Sequence, residues 1–294
     1  FKLNGVKARW FHELETDNPL FDIQYMKTRR IDDVEGYIER TLSKWSALVR
    51  EIESKEMVYV IDSYLLQSTI GHLFDSNANE NQILDLASKV PPIIAPLCPV
   101  IIYFNPADTK KALYGLEDKR GKEWIKQRSE NQKSCPYAIE NNLQGFDGWV
   151  TMLSRRAELS DRILASYPFP KLIIDPTEGE WDLYYKQILE FVDIDFIPEQ
   201  KMSIEFLEQF QGVYQILDSD FTCSIKLINE SLFILGFLHK EFRLIFAEEN
   251  TFEVEGTPYT IHFHQSADGD ILRMTFDGSK VDEADICTLE RLST

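Results

Sequence analysis

The sequence predicts an α/β domain built on a parallel sheet, followed by a small all-β domain of barrel or sandwich type. Three observations predict it. Short apolar runs alternate with helix-period segments over the first two thirds of the chain, the pattern of a parallel sheet with crossover helices. After Ile197-Pro198 the helix period gives way to eight strand-length segments separated by turn signals. Charge shifts at the same place: residues 198–294 hold 7 Lys+Arg against 18 Asp+Glu, a net of −11, and the remainder carries −7. The domains are therefore expected at 1–197 and 198–294.

Each element follows from its local pattern. Val6, Ala8 and Trp10 alternate with Lys7, Arg9 and Phe11, which reads as a strand. It stops at His12-Glu13 and enters an acidic loop holding Glu15, Asp17 and Asn18-Pro19. Val34, Tyr37, Ile38, Thr41, Leu42, Trp45, Leu48, Val49 and Ile52 form a 3.6-period stripe behind possible caps at Asp32 and Asp33. "MVYVID" (57–62), "CPVIIYFNP" (98–106) and "KLIID" (171–175) are short continuous apolar runs, expected as buried parallel strands. Helical spacing fills "SYLLQSTIGHLF" (63–74), "NQILDLASKV" (81–90), roughly 108–130 and 146–166, and "EWDLYYKQILEFV" (180–192). Beyond the boundary, a short helix over 203–210 leads into "GVYQIL", "FTCSIKLI", "SLFILGFL", "EFRLIFA", "TFEVEG", "PYTIHFHQ", "DILRMTFDG" and "ICTLERL".

Bulk properties exclude several classes. The net charge of −18 disfavours nonspecific binding to nucleic acid or anionic membrane, so no partner of either kind is expected. No apolar run reaches the ~18 residues of a membrane span, and no signal-peptide pattern is visible at the start. Cys98, Cys135, Cys223 and Cys287 are widely spaced, without the CxxC pairs of a zinc site or the density of a disulfide framework. A reducing, cytoplasmic setting is the expectation.

In an open parallel sheet, ligands bind beyond the carboxyl ends of the strands. His12 and Glu13 follow the first strand. Asp62, Ser63 and Tyr64 follow the second, with Gln67 one turn into the next helix. Asn105, Pro106 and Asp108 follow the third, and Asp175-Pro176 the fourth. A single acid at a strand end is more often a helix cap or a turn residue than a catalyst. The convergence of several on one sheet edge is what marks a site.

The order of these motifs resembles the P-loop nucleoside and nucleotide kinases, thymidylate-kinase-like proteins in particular, over about residues 1–195. "WFHELETDNP" sits where that family's strand ends in a Glu that meets the phosphoryl acceptor. "IDSYLLQ" resembles its Asp-Arg-Tyr motif, with Ser63 where Arg is usual, and "IIYFNPAD" its next strand. "GLEDKRGKEWIKQR" lies where a basic lid follows. The resemblance implies an ATP-dependent, Mg²⁺-assisted phosphotransferase acting on a nucleoside, nucleotide or other small molecule. Glu13 would orient or deprotonate the acceptor hydroxyl and Asp62 would help place metal or acceptor. His12, Tyr64 and Gln67 would contact substrate, and Lys119, Arg120, Lys122 and Arg128 would neutralise phosphate. The competing readings are a solvated loop acid for Glu13, a helix cap for Asp62, a loop hydrogen bond for His12 and a solvated face for the lid cations. Arg155-Arg156 is a further, weaker phosphate candidate.

One departure is large. No G-x-x-x-x-G-K-[ST] motif is present. "GLEDKRGK" (115–122) spaces its glycines by five residues, lacks Ser/Thr after Lys122, and falls in a charged helical stretch. "FKLNG" (1–5) reads as the tail of a helix capped by Gly5, so a strand and phosphate loop are expected upstream of Phe1. Serine at position 63 keeps a second class open: a non-catalytic binding or scaffolding protein with a degenerate kinase fold. In the second domain, His262 and His264 share one strand face, a spacing that suits a metal pair, but no third ligand is evident. The phenylalanines there read as core. The "G-V-Y" start slightly resembles the lipocalin-like domains appended to other enzymes.

Overall fold

In the computed structural model, the described residues are 6–28, 30–195, 201–217, 219–237, 241–282 and 285–292, without the side chains of Asp118 and Lys119. The "FKLNG" segment and the Ile197-Pro198 boundary lie outside them. The chain divides into two compact units, Phe1–Glu13 with Pro19–Ile197, and Leu14–Asn18 with Pro198–Thr294.

In the first unit, β1 (Ala8–Phe11) pairs in parallel with β2 (Val58–Ile61), from Ala8 opposite Val58 to Phe11 opposite Ile61. Likewise β3 (Ile101–Phe104) pairs in parallel with β4 (Lys171–Ile174). Parallel pairing agrees with the continuous apolar runs. The extent of the sheet does not: the described residues form two separate two-stranded sheets rather than one large parallel sheet. The burial expected of these strands is correspondingly incomplete. Val58, Val60, Phe104 and Ile173 are exposed. The cause is that apolar strands are buried on both faces only within a wider sheet covered by helices on each side.

Helices supply most of this unit's core. The first is short, α1 (Ile23–Thr28). Next, α2 (Val34–Ile52) starts behind Asp33, whose carboxylate accepts from the Gly36 N–H at 2.9 Å. Asp32 instead pairs with Arg30. The 3.6-period stripe then buries Tyr37, Ile38, Trp45, Leu48, Val49 and Ile52. After β2 comes a π turn, Tyr64–Ser68, and then α3 (Gly71–Asp75), in place of one continuous helix. A capping box, Asn79 with Gln82, opens α4 (Glu80–Ile94), whose Ile83, Leu86 and Val90 join the α2 core. The 108–130 stretch is two helices, α5 (Thr109–Arg120) and α6 (Lys122–Gln132), broken at Gly121, where φ is +86°. Only glycine takes this conformation without strain. Then follow α7 (Pro136–Glu140), α8 (Gly145–Ser166) and, after β4, α9 (Trp181–Phe191). Leu113, Ile125 and Trp149 form a satellite core that holds α5 and α6 against α8.

The second unit is a closed antiparallel barrel of eight strands, which decides between the barrel and the sandwich. After α10 (Ile204–Glu208), capped by Ser203, come β5 (Gly212–Ile216), β6 (Thr222–Ile228), β7 (Ser231–Leu235) and β8 (Phe242–Glu248). They are followed by β9 (Thr251–Val254), β10 (Thr260–Gln265), β11 (Ile271–Asp277) and β12 (Ile286–Arg291), which closes on β5. Each strand pairs with its neighbours in sequence, so closure leaves no open edge. An eight-stranded barrel has an interior just wide enough to be filled by side chains or to hold one small ligand. Here Phe210, Tyr214, Phe252, Phe263 and Phe276 are each under 2 % exposed and fill it. Phe210 lies 5.0 Å from Phe252 and 4.8 Å from Phe263, centroid to centroid. The Tyr214 hydroxyl donates to the Phe210 carbonyl at 2.8 Å, and burial pushes its ionisation well above the ordinary tyrosine value. The Leu14–Asn18 segment belongs to this unit, with the Thr16 N–H donating to the Lys280 carbonyl at 2.9 Å.

Candidate functional site

The carboxyl end of the β1–β2 pair carries the candidate site. The Asp62 N–H donates to the Phe11 carbonyl at 3.1 Å, so the pairing runs one residue past the strands. His12 and Glu13 therefore leave β1 beside the point where Asp62 and Ser63 leave β2. Ser63 then adopts φ +65°, a left-handed conformation uncommon for a residue with a side chain. It ends β2 abruptly and turns the chain into the π turn. Left-handed non-glycine residues and π turns both concentrate at functional sites.

This turn brings two predicted residues onto a third. The Gln67 amide donates to the Glu13 carboxylate at 2.7 Å, and the Tyr64 hydroxyl donates to the Glu13 carbonyl at 3.2 Å. Glu13 is thus held at both ends. Tyr64 is buried and Gln67 exposed, so the carboxylate faces a surface that a ligand can reach.

Two of the lid cations share one aromatic ring. The Arg120 guanidinium lies 4.6 Å from the centre of the Trp124 ring, and that of Arg128 lies 5.4 Å from it. Such contacts are worth ~0.5–2 kcal/mol each and hold a cation without neutralising it. Burial, with Arg128 as a like charge, pushes Arg120 below its ordinary value, while Glu13 opposes the shift. The charge of Glu13 thus reaches Arg120 as the smallest of the three influences on it, and Arg128 shares the Trp124 ring with Arg120. The arrangement can accept a proton or hydroxyl at Glu13 and an anionic group at the arginines. Trp124 was not singled out in the sequence, yet its signal was there: Arg120, Trp124 and Arg128 recur at four-residue steps.

The remaining predicted residues divide. Asp62 does not cap the following helix; its carboxylate accepts from the Ser63 hydroxyl at 3.0 Å. His12 is buried, with its ring edge-on to Trp10 at 4.9 Å. Lys122 is exposed at the start of α6, and the Lys119 side chain lies outside the described residues. Asp108 does cap a helix, accepting from the Lys111 N–H at 2.9 Å. Asp175 accepts from the N–H groups of Ala107 and Thr177, at 3.1 and 2.9 Å, and from the Thr177 hydroxyl. These bonds, the Thr177 hydroxyl first, hold its carboxyl below the ordinary value. The two acids at the β3–β4 end are thus loop organisers. Arg156 pairs with buried Asp75 at 3.7 Å.

Behind the site, helix α2 is tied to the π turn. The Tyr37 hydroxyl donates to the Ser68 carbonyl at 3.1 Å, and the Trp45 N–H donates to the Thr69 hydroxyl at 3.2 Å.

The described residues do not fit a nucleotide with its metal. No glycine-rich loop ending in Lys-Ser/Thr follows a strand. Among the described residues no group of three His, Cys, Asp or Glu stands where it could hold a metal ion. On the barrel, His262 bonds Thr251 at 2.9 Å and His264 bonds Thr275 at 2.8 Å. No helix among the described residues is long and apolar enough to cross a membrane. No known family model matches the chain, and no curated protein matches it in sequence.

Proposed function

We propose that the first unit is the acceptor-binding part of a small-molecule phosphotransferase of the nucleoside or nucleotide kinase type, with ATP as donor. One observation carries the reading: Glu13 is clamped by Gln67 and Tyr64 at a parallel strand end, and its charge reaches Arg120, which shares the Trp124 ring with Arg128. Phosphoryl transfer needs such parts: a carboxylate to orient the attacking hydroxyl and cations to offset charge on the transferring group. Glu13 would accept the acceptor's hydroxyl hydrogen. Gln67 fixes the carboxylate's rotamer, and the two arginines bind the anionic end of the acceptor or product.

The donor's phosphates need a loop that the described residues do not form. The barrel, lipocalin-like in strand number and closure, is read as an accessory module.

The test is phosphate transfer from ATP–Mg²⁺ by the natural protein across a panel of nucleosides, nucleotides and other hydroxyl-bearing small molecules. Glu13→Gln is expected to lower kcat/KM by 10²–10⁴-fold, the usual share of a general base, at unchanged thermal stability. An active protein whose rate is unaffected by Glu13→Gln would remove this residue from the mechanism. Absence of transfer with the whole panel would favour a binding protein on the same scaffold.

A further inference from the structure

A cavity of about 590 Å³ opens among the start of α4, α7 and α8, a size suited to a small organic ligand. It shares no residue with the Glu13 site. Its apolar wall comes from Phe74, Ala78, Ile83 and Leu159, and the Phe74 and Tyr137 rings lie against one another with centroids 4.1 Å apart.

The charges at its rim are not equivalent. Arg162 is paired with Glu80 at 2.9 Å, and that bond holds the Glu80 carboxyl below its ordinary value. Asp161 accepts twice from the Asn105 amide, at 2.9 and 3.2 Å. Arg155, like Asp161, has neutral partners and differs from Arg162 in that. Its Nη1 donates to the Tyr137 hydroxyl at 3.3 Å and to the Asn141 side-chain oxygen at 3.0 Å, both neutral groups. No carboxylate among the described residues forms an ion pair with it. The guanidinium is therefore aimed by two partners on and just after α7 and has further N–H groups to offer. It stands beside an aromatic wall. Glu158, one turn along α8 and exposed, would repel a second negative group.

We propose that this cavity binds a planar aromatic carboxylate, with the ring against Phe74 and Tyr137 and the carboxylate on the Arg155 guanidinium. A guanidinium–carboxylate fork gives direction as well as attraction, and stacked or edge-on aromatic contact supplies the apolar part. Glu158 and Asp161 together limit the ligand to a single negative charge.

The probe is 2-naphthoate, titrated into the 294-residue chain by calorimetry with circular dichroism as the folding control. One saturable site per chain is expected. Affinity should fall at least tenfold in Arg155→Gln and by less in Arg155→Lys, which keeps the charge but loses the planar fork. Uncharged 2-naphthamide should bind more weakly than 2-naphthoate, and Glu158→Gln should bind the naphthoate more tightly. The proposal is overturned if no saturation is reached in the low-millimolar range. It is equally overturned if folded Arg155→Gln binds as tightly as the unaltered chain.

Discussion

At the residue scale, the site depends on two unlike devices. Glu13 is a carboxylate whose position is dictated by a side chain 54 residues later, since Gln67 bonds it directly. Ser63 is the conformational device, because its left-handed φ aims the chain from β2 back over Glu13. A side chain in that region costs about 1–3 kcal/mol, which surrounding structure must offset. Ser63→Gly is therefore expected to stabilise the protein by roughly 0.5–1 kcal/mol, reduced somewhat by loss of the bond to Asp62. Urea unfolding would show it as a higher midpoint at unchanged slope. A lower midpoint would mean that the Asp62 contact outweighs the strain.

Elements convert these positions into a site. The π turn follows β2, which ends at Ile61, two residues before Ser63, and it places Tyr64 and Gln67 on the side of the turn that meets Glu13. The break at Gly121 lets α5 end and α6 begin, so that Arg120 and Arg128 flank one indole. After the other parallel pair, Asp175 holds the loops after β3 and β4 together. Its folded-state ionisation lies below the ordinary carboxylate value. The stabilising contribution is therefore present above that ordinary value and is lost as pH falls through the depressed one. Asp175→Asn should flatten the acid limb of a stability-versus-pH curve and leave the neutral-to-alkaline part parallel to the original. An unchanged acid limb would show that other carboxylates govern it. Asp175 is exposed, so the effect is modest.

For the whole molecule, a net charge of −18 on 294 residues makes self-repulsion a general cost of the folded state. Added salt screens it over about 8–10 Å near physiological ionic strength. Raising NaCl from 20 to about 300 mM is thus expected to raise the melting midpoint, and a midpoint that falls would show that specific ion pairs dominate. Lys110–Asp147, Lys111–Glu178 and Arg162–Glu80 are exposed pairs of the kind that salt weakens.

The two parts of the chain were legible to different degrees. The barrel strands were readable because strand period and turn residues are local properties. Alternation puts Ile261 and Phe263 inward and His262 and His264 outward whatever the sheet becomes. The long helices were readable for the same reason, as the α2 stripe shows. Candidate acids were readable as types at strand ends, but not their fates. Glu13 and Asp175 look alike in sequence, yet one meets a glutamine and a tyrosine from a distant segment and the other ties down its own loops. The π turn, Ser63's left-handed backbone and the split into two strand pairs left no periodic trace.

The sequence by itself therefore determined the long helices, the strand segments and where charge collects, but not the breaks at 63–74 and Gly121, because side-chain period and propensity act over a few residues. Only the tertiary structure decided that the eight strands close into a filled barrel and that the parallel strands pair two by two. It also decided that Glu13 has Gln67 and Tyr64 for neighbours. Those outcomes depend on contacts between segments tens of residues apart, where the shape of the packed chain rather than local pattern selects the partner.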